Sequence, residues 1–572
     1  MTSLLKNKLK LQVLYDQSKP HPMGFVQNEK KTPLQNTRDP QREAQNLVDH
    51  WHIHSEKART ICLLGLSSIH IILELLTAMR TSGSSLLILE PDPELLRAFK
   101  DANKLEELED RFSVNVTFIS NSDEDLLLKE FRHEIRQRDI FIDGLFTPPR
   151  LEKLRPELEH INKKLRVQVR LEAMDRITTI SFADEWLQNC LINLPEIIQA
   201  PSINQLFGKF TQTDAVILCA GPSLSQSLKI LKEKQHECLV ICVGTALKPA
   251  LKAGIKPHIT IVVDSDPIIY KQFQGLKNPP GWFLGKYTIF PGLLQLYNDK
   301  LITFNSALTE QFSEWLKMTG FQYGTLNIGG TVALSAIDCA LKLACRNIFI
   351  FGLDLAYSED GTSHADGSIY DGHKITNGLV NVKGNRTAEV PTTKQFASYI
   401  HILNRYFKDF FSLYKGKIFN VNTAGALFQN IELIEPREFE QHHQKSLDNI
   451  QDNFKLQKQT PSPEKISQFL NDSLDELKEI NTEAHTLLEE VSENKIPEGI
   501  VEFEQKIKKS KMTACFLNPA LQAWCLDVST HPEKNSHDMS VELLSQVSGA
   551  AEWVNGLLDN SLKRLIKQTQ RS

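Results

Sequence analysis

Three short apolar segments of the chain are each followed at once by residues that could bind a nucleotide. In chain order they are residues 215–219 before Gly221, Pro222 and Ser223, residues 239–243 before Gly244 and Thr245, and residues 259–263 before Asp264, Ser265 and Asp266. Such short runs with β-branched residues are typical of buried parallel strands. Because ligands of open α/β sheets bind at the carboxyl ends of the strands, we expect these residues to lie together at a ligand site.

The Gly221-Pro222-Ser223 turn has the composition of a phosphate-binding site. Ser223 and Gln226 are spaced as in a capping box, which predicts a helix directly after the turn. The first N–H groups of such a helix attract phosphate, and Gly221 would let the phosphate approach the backbone. A plain strand-to-helix connection also explains the tripeptide. The phosphate-binding interpretation therefore depends on the residues that follow the other predicted strands.

A second group of candidate residues follows a fourth predicted strand, residues 348–351. The group consists of Gly330 and Thr331, which precede a helix predicted over residues 332–343, and of Asp354, Tyr357 and His364, which follow the strand. The paired glycines before a helix again predict anion binding. The polar segment 355–390 is longer than most connections, and we expect it to close over the ligand as a lid.

Asp264 and Asp266 also suggest an alternative, a divalent metal site. Two carboxylates one residue apart could hold Mg²⁺ or Mn²⁺ on a diphosphate. Pro267 follows directly and could instead turn the chain, so the main expectation is that no cofactor is required.

The composition restricts the class of protein. The 572 residues carry a formal charge of -5, which gives no electrostatic reason to expect binding to nucleic acid. The nine cysteines lie mostly in apolar segments without any C-x-x-C pair, as expected for free thiols in a reducing compartment. No signal segment or membrane span is apparent, and we expect a cytoplasmic protein.

Periodicity divides the chain into three predicted domains of the α/β class. Residues 1–180 form a Rossmann-like domain with a leading helix, but its Gly65 turn lacks further glycines, so a structural role is favoured over cofactor binding. Residues 181–435 form a central Rossmann-like parallel-sheet domain. Residues 436–572 contain long amphipathic stretches, which predict an α-helical bundle that caps the central domain or forms a homo-oligomer.

The central motifs resemble those of the motility-associated factor (Maf) glycosyltransferases of bacteria. The residues that carry the resemblance are the Gly221-Pro222-Ser223 turn, Asp264, Gly330-Thr331, the run from Gly352 to Tyr357, and His364. The central domain is also similar to bacterial CMP-sialic acid transferases, which implies a Rossmann-like sheet of the GT-A-variant type, and to hydroxymethylpterin pyrophosphokinases. The resemblance to the Maf family implies transfer of a nonulosonic acid, pseudaminic or legionaminic, from a CMP-activated donor to serine or threonine of flagellin.

The resemblance also implies roles for individual residues. Gly221, Pro222 and Ser223 would contact the donor nucleotide, Thr245 and Asp264 its base and ribose, and Gly330 and Thr331 its carboxylate or ribose-phosphate. Asp354, Tyr357 and His364 would be catalytic, with the last two steadying the leaving phosphate. The related sialyltransferases carry a histidine ahead of the helix that starts here near Lys394, and this chain has none there.

The missing histidine leaves the general base open. The remaining candidates are Asp354, Asp366, His373, Glu389 and, if it does not bind phosphate, His364. Two other functions also stay open: diphosphoryl transfer from ATP-Mg²⁺ to a hydroxymethylpterin, and a non-catalytic factor that binds flagellin.

Overall fold

A computed structural model of the chain describes residues 10–13, 23–27, 30–33, 36, 38–53, 59–80, 84–103, 112, 114–136, 142–297, 300–306, 310–358, 360–375, 377–411, 414–446, 449–459, 463–491, 497–510, 515–517, 520–521, 523–524 and 536–569. The chain forms two compact units. The first comprises Met1–Ser181, Ser492–Asn494 and Ala520–Leu543, and the second comprises Phe182–Val491, Lys495–Pro519 and Leu544–Ser572. Each unit has its own hydrophobic core.

The first unit contains a four-stranded parallel sheet with the strand order β6-β5-β4-β7. Its elements are strands β1 (Lys10–Val13), β2 (Met23–Gln27), β3 (Lys30–Pro33), β4 (Thr60–Leu64), β5 (Ser84–Leu89), β6 (Val114–Ile119) and β7 (Ile142–Phe146), with helices α1 (Pro40–His50), α2 (Ile69–Ala78), α3 (Pro93–Asn103), α4 (Glu124–Arg136), α5 (Pro149–Leu154) and the start of α6 (Pro156–Ile197). Strands β1–β3 pair separately as an antiparallel sheet. The alternation of strands and helices confirms the Rossmann-like prediction.

Glu90 follows β5, where a Rossmann fold commonly binds ribose. Its buried carboxylate instead forms an ion pair with Arg155 at 2.9 Å and accepts the backbone N–H of Leu66 and of Asp92. Burial raises the pKa of Glu90, and the Arg155 charge opposes that rise. Glu90 is therefore satisfied by the protein itself, which favours the structural role.

The second unit is built on an eight-stranded parallel sheet with the order β12-β11-β10-β9-β8-β13-β16-β17. Its strands are β8 (Ala215–Leu218), β9 (Leu239–Val243), β10 (Ile259–Val262), β11 (Trp282–Lys286), β12 (Leu301–Phe304), β13 (Ile348–Phe351), β16 (Ile418–Val421) and β17 (Glu432–Ile434); β14 (Val380–Lys383) and β15 (Glu389–Thr392) form an antiparallel hairpin. The chain enters at β8, proceeds to one edge and returns through β13 to the other. The strand order therefore reverses between β8 and β13, the kind of point where α/β sheets bind ligands.

Helices cover both faces of this sheet and extend beyond it. They are α7 (Leu224–Lys234), α8 (Leu247–Lys252), α9 (Leu294–Tyr297), α10 (Glu310–Lys317), α11 (Val332–Lys342), α12 (Lys394–Phe411), α13 (Phe439–His442), α14 (Pro463–Glu490), α15 (Ile500–Lys509) and α16 (Ser536–Thr569). The residues of α6 from Phe182 and of α16 from Leu544 belong to this unit. No described helix is both long and apolar enough to span a membrane.

Helices α14 and α15, and α16 from Leu544, belong to the same compact unit as the sheet. The indole of Trp315 on α10 donates to the hydroxyl of Ser473 on α14 at 3.1 Å. The hydroxyl of Ser561 on α16 donates to the carbonyl of Leu191 on α6 across 370 residues of sequence. Long helices were predicted here, and the boundary near residue 436 stays a prediction.

The predicted α/β class is confirmed, and most central elements fall where expected. The strands predicted over 215–219, 239–243, 259–263 and 348–351 appear as β8, β9, β10 and β13 with ends that differ by at most one residue. Four features of this unit were missed: strand β11, the edge strands β12 and β17, and the hairpin β14–β15 inside the segment 355–390.

Candidate functional site

Asp354 joins three neighbouring strands at the carboxyl edge of the sheet. It follows β13, and its carboxylate accepts the backbone N–H of Ser223 at 2.8 Å and the Ser223 hydroxyl at 2.7 Å, both from the end of β8. The side-chain amide of Asn422, after β16, donates to the same carboxylate. The predicted residues Ser223 and Asp354 are therefore in direct contact.

Gly221 is required for this contact. A Cβ at Gly221 would lie 2.4 Å from Asp354 Oδ2 and 2.5 Å from the carbonyl oxygen of Gly352. Gly425 packs against the other side of Asp354, where a Cβ would lie 2.8 Å from its Cα. The space beside the turn, which we expected a phosphate to fill, holds the protein's own carboxylate.

The capping box predicted at Ser223 is wrong. Ser223 has a helical backbone and makes no side-chain cap to α7, because its hydroxyl donates to Asp354. Ser223 and Gln226 therefore do not form a capping box. The helix itself begins where expected, at Leu224 after Pro222.

The surroundings of Asp354 indicate a positioning role. The side chain is buried, with the residue 4% exposed, and burial raises its pKa while the hydrogen bonds from Ser223 and Asn422 oppose that rise. A base for a substrate hydroxyl needs access to that hydroxyl. Asp354 instead holds together the ends of the strands, where the other candidate residues lie.

Tyr357 is held beside the hairpin. Leu355 has a φ of 41°, an uncommon value for a branched residue, and its carbonyl accepts the Thr392 hydroxyl at 2.8 Å. The backbone N–H of Tyr357 donates to the carbonyl of Pro391 at 2.8 Å, and its ring stacks on Phe396 with centroids 5.9 Å apart. The hydroxyl makes no hydrogen bond to any described residue.

His364 lies against the Gly221 turn. The backbone N–H of its neighbour Ala365 donates to the carbonyl of Ala220 at 2.8 Å. The imidazole packs on Tyr370 at 4.6 Å between centroids, and its Nδ1 bonds the hydroxyl of Ser363. Burial, with a smaller contribution from His373, lowers the pKa of His364 to about 4. The ring is therefore uncharged at neutral pH.

Asp264 lies in an enclosed part of the same edge. Its side chain is exposed to solvent, yet enough protein surrounds it that desolvation raises its pKa, as on the floor of a cleft. Burial also raises the pKa of the Tyr370 and Tyr399 hydroxyls, and the Asp264 charge raises both further. A Cβ at Gly330 would lie 2.4 Å from the Tyr399 ring, so Gly330 lies directly beside one of the two tyrosines that interact with Asp264.

The two predicted threonines lie at neighbouring helix starts. Thr245 is half-buried in the 3-10 helix Gly244–Ala246 directly after β9. Thr331 is the N-cap of α11, where its side chain accepts the backbone N–H of Ala333 at 3.3 Å. Gly330 precedes it with a φ of 69°, which favours glycine.

Asp266 is used differently from Asp264. It caps the 3-10 helix Pro267–Gln272, and its Oδ1 accepts the backbone N–H of Ile268 at 2.8 Å. No group of three or more histidine, cysteine, aspartate or glutamate side chains suited to a metal occurs in the part of the chain that the structure covers. Asp264 and Asp266 are the residues that could hold Mg²⁺ or Mn²⁺, and metal binding stays a prediction.

The remaining candidate bases are exposed. Asp366 and His373 lie in the segment after β13, and Glu389 on β15 accepts the side-chain amide of Asn381 at 3.0 Å. Their geometry does not select one of them.

Two residues of this edge, Asn422 and Lys286, were missed from the sequence. Asn422 is a ligand of the Asp354 carboxylate, and Lys286 ends the unpredicted strand β11 with its ammonium 4.4 Å from the ring centroid of Trp186 on α6. An apolar run over residues 282–284 before Gly285 and Lys286 was the available signal for β11. A polar residue after the predicted strand 418–421 was the signal for Asn422.

Comparison with known proteins supports the resemblance. Residues 188–360 match the family model described as 6-hydroxymethylpterin diphosphokinase MptE-like. Over 95 residues the chain is 30% identical to an uncharacterized protein of Treponema pallidum (strain Nichols), a match covering 16% of this chain and 42% of that protein.

A solved structure resembles almost the whole chain. The Maf glycosyltransferase from Magnetospirillum magneticum AMB-1 superimposes with a TM-score of 0.65 and 13% identity, covering 97% of this chain and 93% of that one. The resemblance predicted from the sequence is thus confirmed for the fold and for the matched central segment. The chain shares its fold, over nearly its whole length, with a Maf glycosyltransferase.

Proposed function

We propose that the chain is a glycosyltransferase that moves a nonulosonic acid, of the pseudaminic or legionaminic type, from a CMP-activated donor to serine or threonine of flagellin in the cytoplasm. The shared fold supports the reaction class. The observation that carries the proposal is the grouping of Asp264, at the carboxyl edge of the sheet, with Tyr370 and Tyr399, which lie close enough to interact with it electrostatically.

Asp354 fills the crevice where the strand order reverses, and this supports a location for the donor elsewhere on the same edge. Asp354 closes the edge between β8 and β13, so the accessible part lies beyond β9 and β10, at Thr245 and Asp264. We place the cytidine there, with Asp264 accepting hydrogen bonds from ribose hydroxyls. Gly330 and Thr331 would face the carboxylate or ribose-phosphate of the donor.

Tyr357 and His364 would steady the departing CMP. Its phosphate gains negative charge as the glycosidic bond breaks, and donors preorganised toward that charge lower the barrier. The Tyr357 hydroxyl is free to donate, and His364 donates from Nε2 when Ser363 donates to its Nδ1. Both groups are neutral, and the scheme requires no metal.

The base that deprotonates the acceptor is left among His364, Asp366, His373 and Glu389. His364 has its lone pair at Nε2 when Nδ1 donates to Ser363, so its tautomer decides between the two roles. A weak base suffices where the acceptor hydroxyl loses its proton late.

A nucleotide screen tests the proposal. The melting temperature of the full chain is measured with CMP, UDP, GDP and ATP, and flagellin incubated with a CMP-nonulosonic acid is analysed by mass spectrometry. We expect stabilisation by CMP above the other nucleotides and a mass increase of one sugar residue on flagellin. Absence of both would contradict the proposal.

The match of residues 188–360 favours one second candidate, diphosphoryl transfer from ATP-Mg²⁺ to a hydroxymethylpterin. Asp264 and Asp266 would then hold the metal. Stabilisation by ATP-Mg²⁺ that is lost with EDTA, together with AMP release in the presence of the pterin, would favour this candidate. Flagellin glycosylation that persists in EDTA would exclude the metal from the transfer.

A further inference from the structure

Lys286 is a buried cation at the carboxyl end of β11, beside the strand that leads to Asp264. The register pairs Val262 of β10 with Gly285 of β11, so Lys286 and Asp264 lie close to the same end of adjacent strands. Lys286 is only 2% exposed. Its position therefore belongs to the edge where we place the donor.

The contacts of Lys286 hold its side chain without neutralising its charge. The ammonium lies 4.4 Å from the ring centroid of Trp186, a cation–π contact, and Cys190 on the same helix is also close enough to interact electrostatically. Asp264 attracts Lys286 at longer range, but no described carboxylate forms an ion pair with it.

Trp186 is itself fixed in place. Its indole N–H donates to the Ser265 hydroxyl at 3.1 Å, and the side-chain amide of Asn189, one turn along α6, donates to the Ser265 carbonyl at 3.2 Å. The ring that contacts the Lys286 ammonium is thus hydrogen-bonded to Ser265, the residue after Asp264. The ammonium is also close enough to Asp264 to interact with it electrostatically.

A buried lysine of this kind destabilises the folded protein. Burial lowers the pKa of Lys286 to about 8, so the side chain is still mostly charged at neutral pH. Transfer of a charge out of water without a paired anion costs free energy. Such groups occur preferentially where a ligand completes the pair.

We propose that Lys286 binds a negatively charged oxygen group of the sugar nucleotide, its phosphate or its sugar carboxylate, and that Trp186 positions the ammonium for this contact. The proposal rests on the proposed function, since it names the group that recognises the charge of that donor. The anion replaces the partner that Lys286 lacks. Lys286 then raises the affinity for negatively charged nucleotides but not for neutral nucleosides.

The test compares Lys286→Met with Lys300→Met in the full chain. Lys300 is exposed and directly precedes β12, so it lies at the amino end of the strands, whereas Lys286 lies at the carboxyl end. Replacement of Lys300 therefore removes the same charge at a distance from the site. Affinities for cytidine, CMP and a CMP-nonulosonic acid are measured by calorimetry. Lys286→Arg retains the positive charge and serves as a second variant.

If Lys286 binds the phosphate, Lys286→Met weakens CMP about tenfold or more, the usual loss for a charged hydrogen bond, and leaves cytidine unchanged. If it binds the carboxylate, only the CMP-sugar weakens. Lys286→Arg retains more of the affinity than Lys286→Met in either case, and Lys300→Met binds all three ligands as the wild type does. Unchanged binding of CMP and CMP-sugar by Lys286→Met overturns the proposal.

Stability separates a binding role from a structural one. Lys286→Met removes a buried charge while keeping an apolar stem, so its melting temperature should equal or exceed that of the wild type. A lower melting temperature with unchanged affinity overturns the proposal. If the wild type binds ATP instead of CMP, the proposed donor is wrong, and a tenfold loss of ATP affinity in Lys286→Met still supports the role of Lys286. Binding of no nucleotide by the wild type contradicts both proposals.

Discussion

Asp354 and Ser223 are joined by two hydrogen bonds, although 131 residues separate them in the sequence. The contact ties the end of β13 to the end of β8, where the order of strands reverses. Ligands of many α/β proteins bind in the crevice at such a point. Here a carboxylate of the protein fills it, whereas Asp264, after β10 on the same edge, is exposed.

Replacement of Asp354 by Asn should destabilise the second unit. One side-chain oxygen becomes an NH₂ group facing the donors of Ser223 or Asn422, and an unsatisfied buried donor costs about 1–3 kcal/mol. Urea unfolding followed by circular dichroism measures the change. Asp366→Asn, at an exposed position in the same segment, is the matched control and should leave the unfolding free energy within about 0.5 kcal/mol of the wild type. A stable Asp354→Asn protein that has lost only turnover would restore a catalytic role for this carboxylate.

Gly221→Ala should destabilise the protein and weaken nucleotide binding, because the added Cβ would lie 2.4 Å from Asp354 Oδ2. We expect a loss of about 1–3 kcal/mol from this overpacking. Gly549→Ala in α16 is the control, since a Cβ there meets no atom within 4 Å, and alanine should stabilise the helix by up to about 1 kcal/mol. Opposite shifts in melting temperature would verify the prediction; equal shifts would refute it.

Tyr357→Phe should reduce the rate of transfer without reducing stability. The change keeps the stacking on Phe396 and removes a hydroxyl that bonds no described residue. Loss of one donor to developing charge costs about 10²- to 10³-fold in kcat. Tyr414→Phe provides the reverse case: it removes the 2.6 Å hydrogen bond to the Cys345 carbonyl, which costs about 1 kcal/mol of stability, and should leave kcat unchanged. A Tyr357→Phe enzyme with wild-type kcat would remove this residue from the mechanism.

Acid should destabilise the ligand-free protein in part through His364. Its pKa is about 4 in the folded protein and near 6.5 when unfolded, so the unfolded chain binds the proton more tightly. The unfolding free energy therefore falls as the pH is lowered from 6.5 toward 4, and this residue contributes no pH dependence above that range. Denaturant titrations at several pH values measure the slope, which should be smaller in His364→Gln. An NMR titration that gives His364 a pKa above 6 would contradict the prediction.

The sequence predicted the parts of the site that depend on local pattern. Apolar runs ending in small or acidic residues located β8, β9, β10 and β13, and parallel topology placed their ends together. The local pattern could not predict which group fills the space beside the Gly221 turn. The same tripeptide can bind a phosphate or a protein carboxylate, and the choice depends on a residue that only the folded chain brings near.

Lys286 and the hairpin were missed for different reasons. The short run 282–284 resembles a loop because prolines and glycines flank it, and its place at the sheet depends on long-range pairing with β10 and β12. The hairpin did leave a local signal, since Val380 and Val382 alternate with polar residues before Gly384 and Asn385. Because both strands are mostly polar, the apolar residues in them are few, and the segment resembles a plain loop.

The hydrogen bond from Ser561 to Leu191 has a consequence for the order in which the molecule assembles. The strands of the second unit end at Ile434, but the helix that supplies Ser561 is synthesised about 100 residues later. Contacts between residues so far apart carry a large loop-closure entropy and slow folding. During translation, the buried part of α6 around Leu191 therefore lacks this contact until α16 has been made, and this interval is when chaperone capture or aggregation of the chain is expected.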